Sequence, residues 1–197
     1  MADTPRIALV ISSTRPQRWA DKPAAWMLKQ MQARPDMTAE ILDLRDHPLP
    51  FFDEPASNAY METQNPDAVR FQHEVARFDG YVFVVAEYNR AITGALKNAF
   101  DWDYVNWGRK PFGAIGYGSV GAARAVENLR TIGIEMQMVP VRQAVHIGGP
   151  DFYRVGPYNP QAEPIEAIEG GLMGGAKEML DAVGFYANLL KGARAAA

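Results

Sequence analysis

Short, nearly continuous apolar runs alternate along this chain with stretches whose apolar residues recur every three or four positions. "RIALVIS" (6–12) is such a run, the pattern of a strand buried on both faces. Ala20, Ala24, Met27, Leu28 and Met31 then fall at helical spacing, with Pro23 early enough to occupy a first turn. "TAEILDL" (38–44) predicts a second strand, whereas residues 47–62, "HPLPFFDEPASNAYME", hold too much proline for a regular element and predict a long surface loop with a functional role. Asn65 and Pro66 open a helix through Phe78, "DG" turns the chain, and "YVFVVAE" (81–87) is the strongest strand pattern in the sequence. A helix from Thr93 to Trp102, a strand "FGAIGYG" (112–118), a helix over 121–133 and a strand "MQMVPVRQAV" (136–145) come next, Pro140 marking a bulge or an edge. The last helix is predicted over 162–190, weakened in its first half by Gly170, Gly171, Gly174 and Gly175.

Five strands separated by helices imply right-handed βαβ units and a parallel sheet covered on both faces. The expected fold is a flavodoxin-like three-layer sandwich with strand order 2-1-3-4-5, formed by residues 1–197 as one domain. In such a sheet a ligand sits beyond the carboxyl ends of the strands where the order reverses. That brings together the loops after the first, third and fourth strands.

Composition removes several classes of function. Twenty basic and twenty-three acidic residues give a net charge of -3, so no basic field draws nucleic acid. The chain has no cysteine, which excludes a disulfide framework, a thiolate metal site and a cysteine nucleophile. His47, His73 and His146 lie on unrelated elements without metal-ligand spacing, and no metal is expected. "MADTPR" lacks the pattern of a signal peptide and no apolar run is long enough for a membrane span, so a soluble, cytoplasmic protein without a membrane partner is the expectation.

The candidate chemistry lies in the three loops. "SSTRPQRW" (12–19) offers hydroxyls, backbone N–H groups, a helix N-terminus and two arginines. It reads either as a phosphate site or as an ordinary Ser/Thr cap with exposed arginines, and its place directly after the first strand favours phosphate. "AEYNRAITGALKNAFDW" (86–102) brings Glu87, Tyr88 and Asn89 to the end of the central strand, an aromatic face with directional polar groups that suits a planar heterocycle. Asn89 and Tyr88 also read as turn and packing residues, and Lys97, Asp101 and Asp103 as solvated helix charges. "GYGSVGAAR" (116–124) fits G-x-G-x-x-G through Gly116, Gly118 and Gly121, but on the fourth strand and without a well-placed acidic partner. It misses the nucleophile elbow around Ser119, because Tyr117 stands where that motif needs glycine. A glycine-rich loop that approaches a ligand closely remains, with Ser119 as a donor.

These three motifs, in this order, resemble the flavodoxin-like NADPH-dependent FMN reductases, which include quinone, azo and chromate reductases. The likeness spans most of residues 6–145, and "AEYNRAITGALKNAFDW" is its specific part. It implies FMN as cofactor, NADPH or NADH as co-substrate, a small-molecule electron acceptor and a homodimer or homotetramer. Ser13 and Arg15 match the family's phosphate ligands, with Arg18 and Trp19 completing the loop. Ala86, Glu87, Tyr88 and Asn89 match the segment that holds the isoalloxazine ring, largely through backbone groups. Gly118, Ser119 and Gly121 match the loop at the ring edge. The implied cycle is ping-pong: nicotinamide gives hydride to flavin N5, leaves, and an acceptor takes its place, with no side chain acting as an obligate acid or base.

Ser12 and Ala86 stand where the family has glycine and proline, which implies a crowded turn and a looser ring-holding loop. Phe51, Phe52, Tyr60, Trp102, Tyr104 and Trp107 are expected near the cleft mouth, where a neighbouring subunit partly covers the ring. The loop at 47–62 and the tail at 147–165 both qualify to shape specificity. The rival readings are a non-catalytic flavodoxin-like electron-transfer or regulatory module, a nicotinamide-binding dehydrogenase at "GYGSVG", and a serine hydrolase at Ser119.

Overall fold

A computed structural model describes residues 4–196. Strands β1 (Arg6–Ile11) and β3 (Gly80–Ala86) carry side chains to opposite faces of the sheet at successive positions, and both faces are apolar. Ile7, Leu9, Ile11, Val82, Val84 and Ala86 enter one core, while Ala8, Val10, Tyr81, Phe83 and Val85 enter the other. β2 (Thr38–Asp43) pairs with β1 at one edge, and β4 (Pro111–Tyr117) pairs with β3. All pairings are parallel and the order is β2-β1-β3-β4-β5, the flavodoxin-like arrangement.

The expected fifth strand over 136–145 is instead two short pieces, β5 (Val139–Pro140) and β6 (Val145–Ile147), both beside β4. Val139 and Val141 donate to Lys110 and Phe112, so the nitrogen of Pro140 faces the open side, where an edge strand tolerates it, and the pairing stops there and resumes where Val145 meets Ile115.

Helices cover both faces. α1 (Asp21–Gln32) packs in the first core, and α2 (Pro66–Ala76), α3 (Gly94–Trp102) and α4 (Ala123–Glu135) pack in the second. Asn65 caps α2 by accepting from the N–H groups of Asp67 and Ala68, as its place before Pro66 predicts. The end of the chain departs from the sequence pattern. The segment at 147–165 contains a seven-residue helix, α5 (Gly149–Val155), and the last helix, α6 (Glu169–Ala195), starts later and ends later than predicted. Pro150 sits in the first turn of α5, where a missing N–H costs nothing, so "GGP" opens a helix here rather than a loop. A 3₁₀ turn, Ile165–Ile168, leads into α6.

The aromatic residues expected at the cleft mouth divide. Trp102 and Trp107 are fully buried on the far face, Trp107 among Phe71, Tyr81, Phe83 and Phe100. Phe52 packs edge-on against Trp102, and Tyr104 donates to the Glu135 carbonyl. Phe51 and Tyr60 stay exposed. Asp103 is buried rather than solvated: it accepts from Asn58 Nδ2 at 2.9 Å and from the N–H and side chain of Asn106 at 3.1 Å. Burial holds its carboxyl above the usual range despite those donors.

Candidate active site

The loops after β1, β3 and β4 leave the sheet at one end and enclose a cleft of about 440 Å³. Arg15, Gln17, Arg18 and Trp19 line it from the first loop, Ala86, Glu87 and Tyr88 from the second, and Tyr117, Gly118 and Ser119 from the third. A fourth wall comes from α5 and the loop after it, with Phe152, Tyr153, Pro157 and Tyr158. This ranks the two segments left open by the sequence, since no residue of 47–62 lines the cleft.

In the first loop the N–H groups of Ser13, Thr14, Arg15 and Gln17 have no hydrogen-bond partner among the described residues. Four unpaired donors in five residues are the kind of group an anion satisfies. Arg15 adds a cation that, among the described residues, reaches only Tyr88, at 3.5 Å from its hydroxyl and 5.8 Å above its ring. The Ser13 hydroxyl lies 3.1 Å from the same Tyr88 oxygen, so Ser13, Arg15 and Tyr88 converge on one point.

Arg18 is differently placed. Its side chain is 3% exposed and donates to Asp43 at 2.5 and 2.6 Å, to Asp21 at 2.5 and 2.8 Å, and to the Ser13 carbonyl at 2.8 Å. Burial pushes the Asp43 carboxyl up, but the bonds from Arg18 and from the Arg45 N–H outweigh it and leave the group below its ordinary value. Arg45, which the sequence pattern did not single out, donates to the carbonyl oxygens of Arg15 and Pro16 and so satisfies two acceptors of the loop. Its only sequence signal is a basic residue just past the second strand, beside the Asp43 that holds Arg18.

Ser12 does not crowd the turn. It is buried in ordinary strand-like backbone, its hydroxyl donates to Val84 at 2.7 Å, and its carbonyl accepts from Thr93 at 2.7 Å. Thr93 in turn caps α3 through the Leu96 N–H. The specific motif of the sequence thus has a mechanical content: its threonine ties α3 to the first loop.

In the second loop Tyr88 and Ala91 exchange two backbone hydrogen bonds of 3.1 Å across Asn89 and Arg90, both at positive φ (52° and 70°). This is a two-residue I′ hairpin, natural for asparagine and strained for arginine. Asn89 sits at its tip and does not line the cleft. Glu87 turns its carboxylate away into α4, accepting from the N–H groups of Arg124 (3.2 Å) and Ala125 (3.3 Å) and from Arg124 Nε (2.5 Å). Ala122, at the start of α4, offers no side-chain cap, and Glu87 supplies it from another loop.

In the third loop the N–H groups of Gly118 and Gly121 are bonded to Ile147 and Gly118, while those of Ser119 and Val120 have no partner among the described residues. The glycine spacing has a packing cause. A Cβ on Gly116 would lie 2.5 Å from the Gly121 carbonyl, and Gly121 itself has φ of 62°. His146 Nδ1 is 2.8 Å from the Gly121 oxygen and makes no hydrogen bond to Ser119, so no nucleophile–base pair is assembled.

Residues 5–150 match the family described as NADPH-dependent FMN reductase. The chain belongs to that family. Its members similar to this chain include an NAD(P)H-dependent FMN reductase of Nectria sp, 30% identical over 86% of this chain and 83% of the relative. A 2-hydroxy-1,4-benzoquinone reductase of Burkholderia sp is 32% identical over 70% of this chain and 75% of its own length. Among solved structures, FerB, a flavoenzyme NAD(P)H:(acceptor) oxidoreductase from Paracoccus denitrificans, superposes with a TM-score of 0.69 at 20% identity, covering 92% and 98% of the two chains, a likeness of fold. Family membership makes this chain an oxidoreductase with FMN as cofactor and NAD(P)H as reductant. The site fits that group: Arg15 and Gln17, with unpaired N–H groups and the Arg15 cation, line a cleft that aromatic side chains and the backbone of the second and third loops also line.

Proposed function

We propose that this chain is a ping-pong reductase that passes electrons from NADPH or NADH, by way of FMN, to a quinone, azo compound, metal oxyanion or free flavin. The observation that carries the reading is the donor array of Ser13, Thr14, Arg15 and Gln17 with the uncommitted Arg15 guanidinium, at the head of the cleft that all three loops line. FMN, when bound, supplies hydride acceptance and donation at ring N5. Arg15 and the first-loop N–H groups hold its phosphate, helped by the Ser13 hydroxyl. Arg18 acts through Asp43, Asp21 and the Ser13 carbonyl to fix the loop, as a positioning residue. The backbone of Ala86, Glu87 and Tyr88 and of Gly118 and Ser119, which line the cleft, would flank the ring. The free N–H groups of Ser119 and Val120, with the Ser119 hydroxyl, would stabilise negative charge at the edge of the ring. Trp19 meets Tyr117 and Phe152 edge to face at 5.2 and 5.4 Å, and the cluster keeps water from one wall.

One cleft serves both substrates in turn, which is the structural sense of ping-pong kinetics. The activities of relatives support the choice of acceptor, a benzoquinone in one case. The proposed setting is the cytoplasm, where NAD(P)H is supplied, and among the described residues no helix is long and apolar enough to cross a membrane.

The deciding experiment is a visible spectrum of protein incubated with FMN and desalted, followed by anaerobic NADPH. Retained bands that bleach support the reductase. Bands that persist unbleached indicate an electron-transfer or regulatory module, and no retained flavin overturns the assignment of the cleft. We also propose a homodimer or homotetramer, supported by the exposed Phe51 and Tyr60. Sedimentation at micromolar concentration is expected to show a dimer or tetramer, and a monomer removes the shared-site element of the reading.

A further inference from the structure

A second groove of about 700 Å³ lies beside the flavin cleft, against α1. Trp19 and Pro157 line both, so the two spaces adjoin. Its floor and far side include Ala25, Trp26 and Ile165, and Lys22 and Lys29 stand on the α1 wall. The lysines are seven residues apart, two turns on one helix face, which separates them by about 10 Å along the axis. Both are exposed, and neither side chain forms an ion pair or hydrogen bond among the described residues. Elsewhere on the surface Lys97, Lys177 and Lys191 are each paired with a carboxylate. The opposite wall carries Glu163 and Glu166, but both oxygens of Glu163 are held by Arg154, at 2.6 and 2.7 Å. The groove thus offers two free cations against one free carboxylate.

We infer that this groove receives the adenosine half of NADPH, with Lys22 at the pyrophosphate and Lys29 at the 2′-phosphate. The inference rests on the reading of the neighbouring cleft as the flavin site and deepens it, naming the residues that distinguish NADPH from NADH. The order of the two roles comes from position. Lys22 lies in the first turn of α1, three residues from Trp19 at the junction with the cleft, and Lys29 lies two turns farther from it. A dinucleotide whose nicotinamide end occupies the cleft places its pyrophosphate near the junction and its adenosine beyond. Two anionic groups at unequal distance from the cleft meet two cations in the same order. The indole of Trp19 and the rings of Pro157 and Pro164 offer the flat apolar surface that an adenine needs.

Titration calorimetry with adenosine 2′,5′-bisphosphate and with 5′-AMP, on FMN-loaded protein, tests this without turnover. The bisphosphate is expected to bind more tightly than 5′-AMP. Lys29→Ala is expected to weaken it about tenfold and to leave 5′-AMP within about twofold, while Lys22→Ala weakens both about tenfold. In steady state Lys29→Ala raises the KM for NADPH and not for NADH, and Lys29→Glu exaggerates the split. Neither lysine has a structural partner among the described residues, and unchanged FMN retention in each variant confirms that the cleft is intact. Equal binding of the two nucleotides by the wild type, no binding of either, or equal losses in Lys29→Ala overturns the subsite. Protein that fails to retain FMN but still prefers the bisphosphate overturns the flavin reading and leaves the nucleotide groove standing.

Discussion

At Arg15 the guanidinium extends over the cleft with one long hydrogen bond to Tyr88, whereas three residues later Arg18 is enclosed by two carboxylates and a carbonyl. The sequence treats them as a pair that neutralises a dianion. The fold separates them, because Asp43 at the end of β2 reaches Arg18 and not Arg15. Substitution is expected to show the difference. Arg15→Ala removes a charge-assisted contact to phosphate and raises the FMN dissociation constant about tenfold or more, with little change in the melting temperature of the apoprotein. Arg18→Ala leaves the half-buried Asp43 with only the Arg45 N–H as a donor and lowers stability by about 2 kcal/mol, with flavin affinity falling as the loop loosens. Flavin fluorescence titration and thermal unfolding of both variants check this. Equal effects of the two substitutions on both readouts would refute the division of roles. No pattern in "SSTRPQR" distinguishes these arginines, since the distinction lies in a carboxylate 25 residues away.

Elements are joined here by side chains that cap from a distance. α4 begins at an alanine in the left-handed region, and its first N–H groups are satisfied by Glu87 from the end of the neighbouring strand. Thr93 similarly joins α3 to the loop after β1. The expected role of Glu87 as part of the ring-holding segment therefore falls to its backbone, while its carboxylate joins the second and third loops. Burial raises that carboxyl, but Arg124 and the two N–H donors overcome it and bring it below its ordinary value. A carboxylate depressed in the folded state stabilises above its unfolded pKa, and the contribution is lost as pH falls through the folded value. Glu87→Gln is expected to lower stability by about 1 kcal/mol at pH 7 and to become nearly neutral in acid, once pH falls below the depressed folded value. Denaturant unfolding of both proteins at pH 7 and in acid measures it, and a deficit independent of pH would assign the effect to packing. The cap was not legible in advance, because capping rules search a helix's own leading residues and Ala122 offers none.

At the scale of the whole molecule the two ends of the sheet have separate tasks. The carboxyl end carries the cleft, and the amino end carries Lys110, buried before β4, whose ammonium donates to the Val75 and Ala76 carbonyls at the end of α2 and to the Tyr81 hydroxyl. Desolvation pulls this lysine down to about 8. Between that value and its ordinary one the unfolded chain binds more protons than the folded chain, so stability rises with pH. From about pH 8 to pH 10 the lysine contributes a gain approaching about 1 kcal/mol per pH unit, and Lys110→Met is expected to abolish this rise. Turnover should not track the same profile, since Lys110 lies at the opposite end from the cleft. Unfolding free energies of wild type and variant at pH 8, 9 and 10 provide the comparison, and parallel curves would count against a charged, desolvated Lys110.

Local pattern in the chain was enough for the alternation of strand and helix, the order of the sheet, the three loops that meet, and the family likeness carried by "AEYNRAITGALKNAFDW". Periodicity is a local property, and the loops meet because parallel crossovers leave few other topologies. The remaining features waited on packing. α5 is too short, with two buried apolar residues, to show a period, yet it supplies the fourth wall of the cleft because Phe152 packs against Trp19. Trp107 reads as an aromatic at the cleft mouth and Asp103 as a solvated helix charge, yet both are buried by partners from distant parts of the chain. Whether a polar or aromatic side chain faces solvent, ligand or core depends on which remote group meets it, and that is set by how segments far apart in sequence come together.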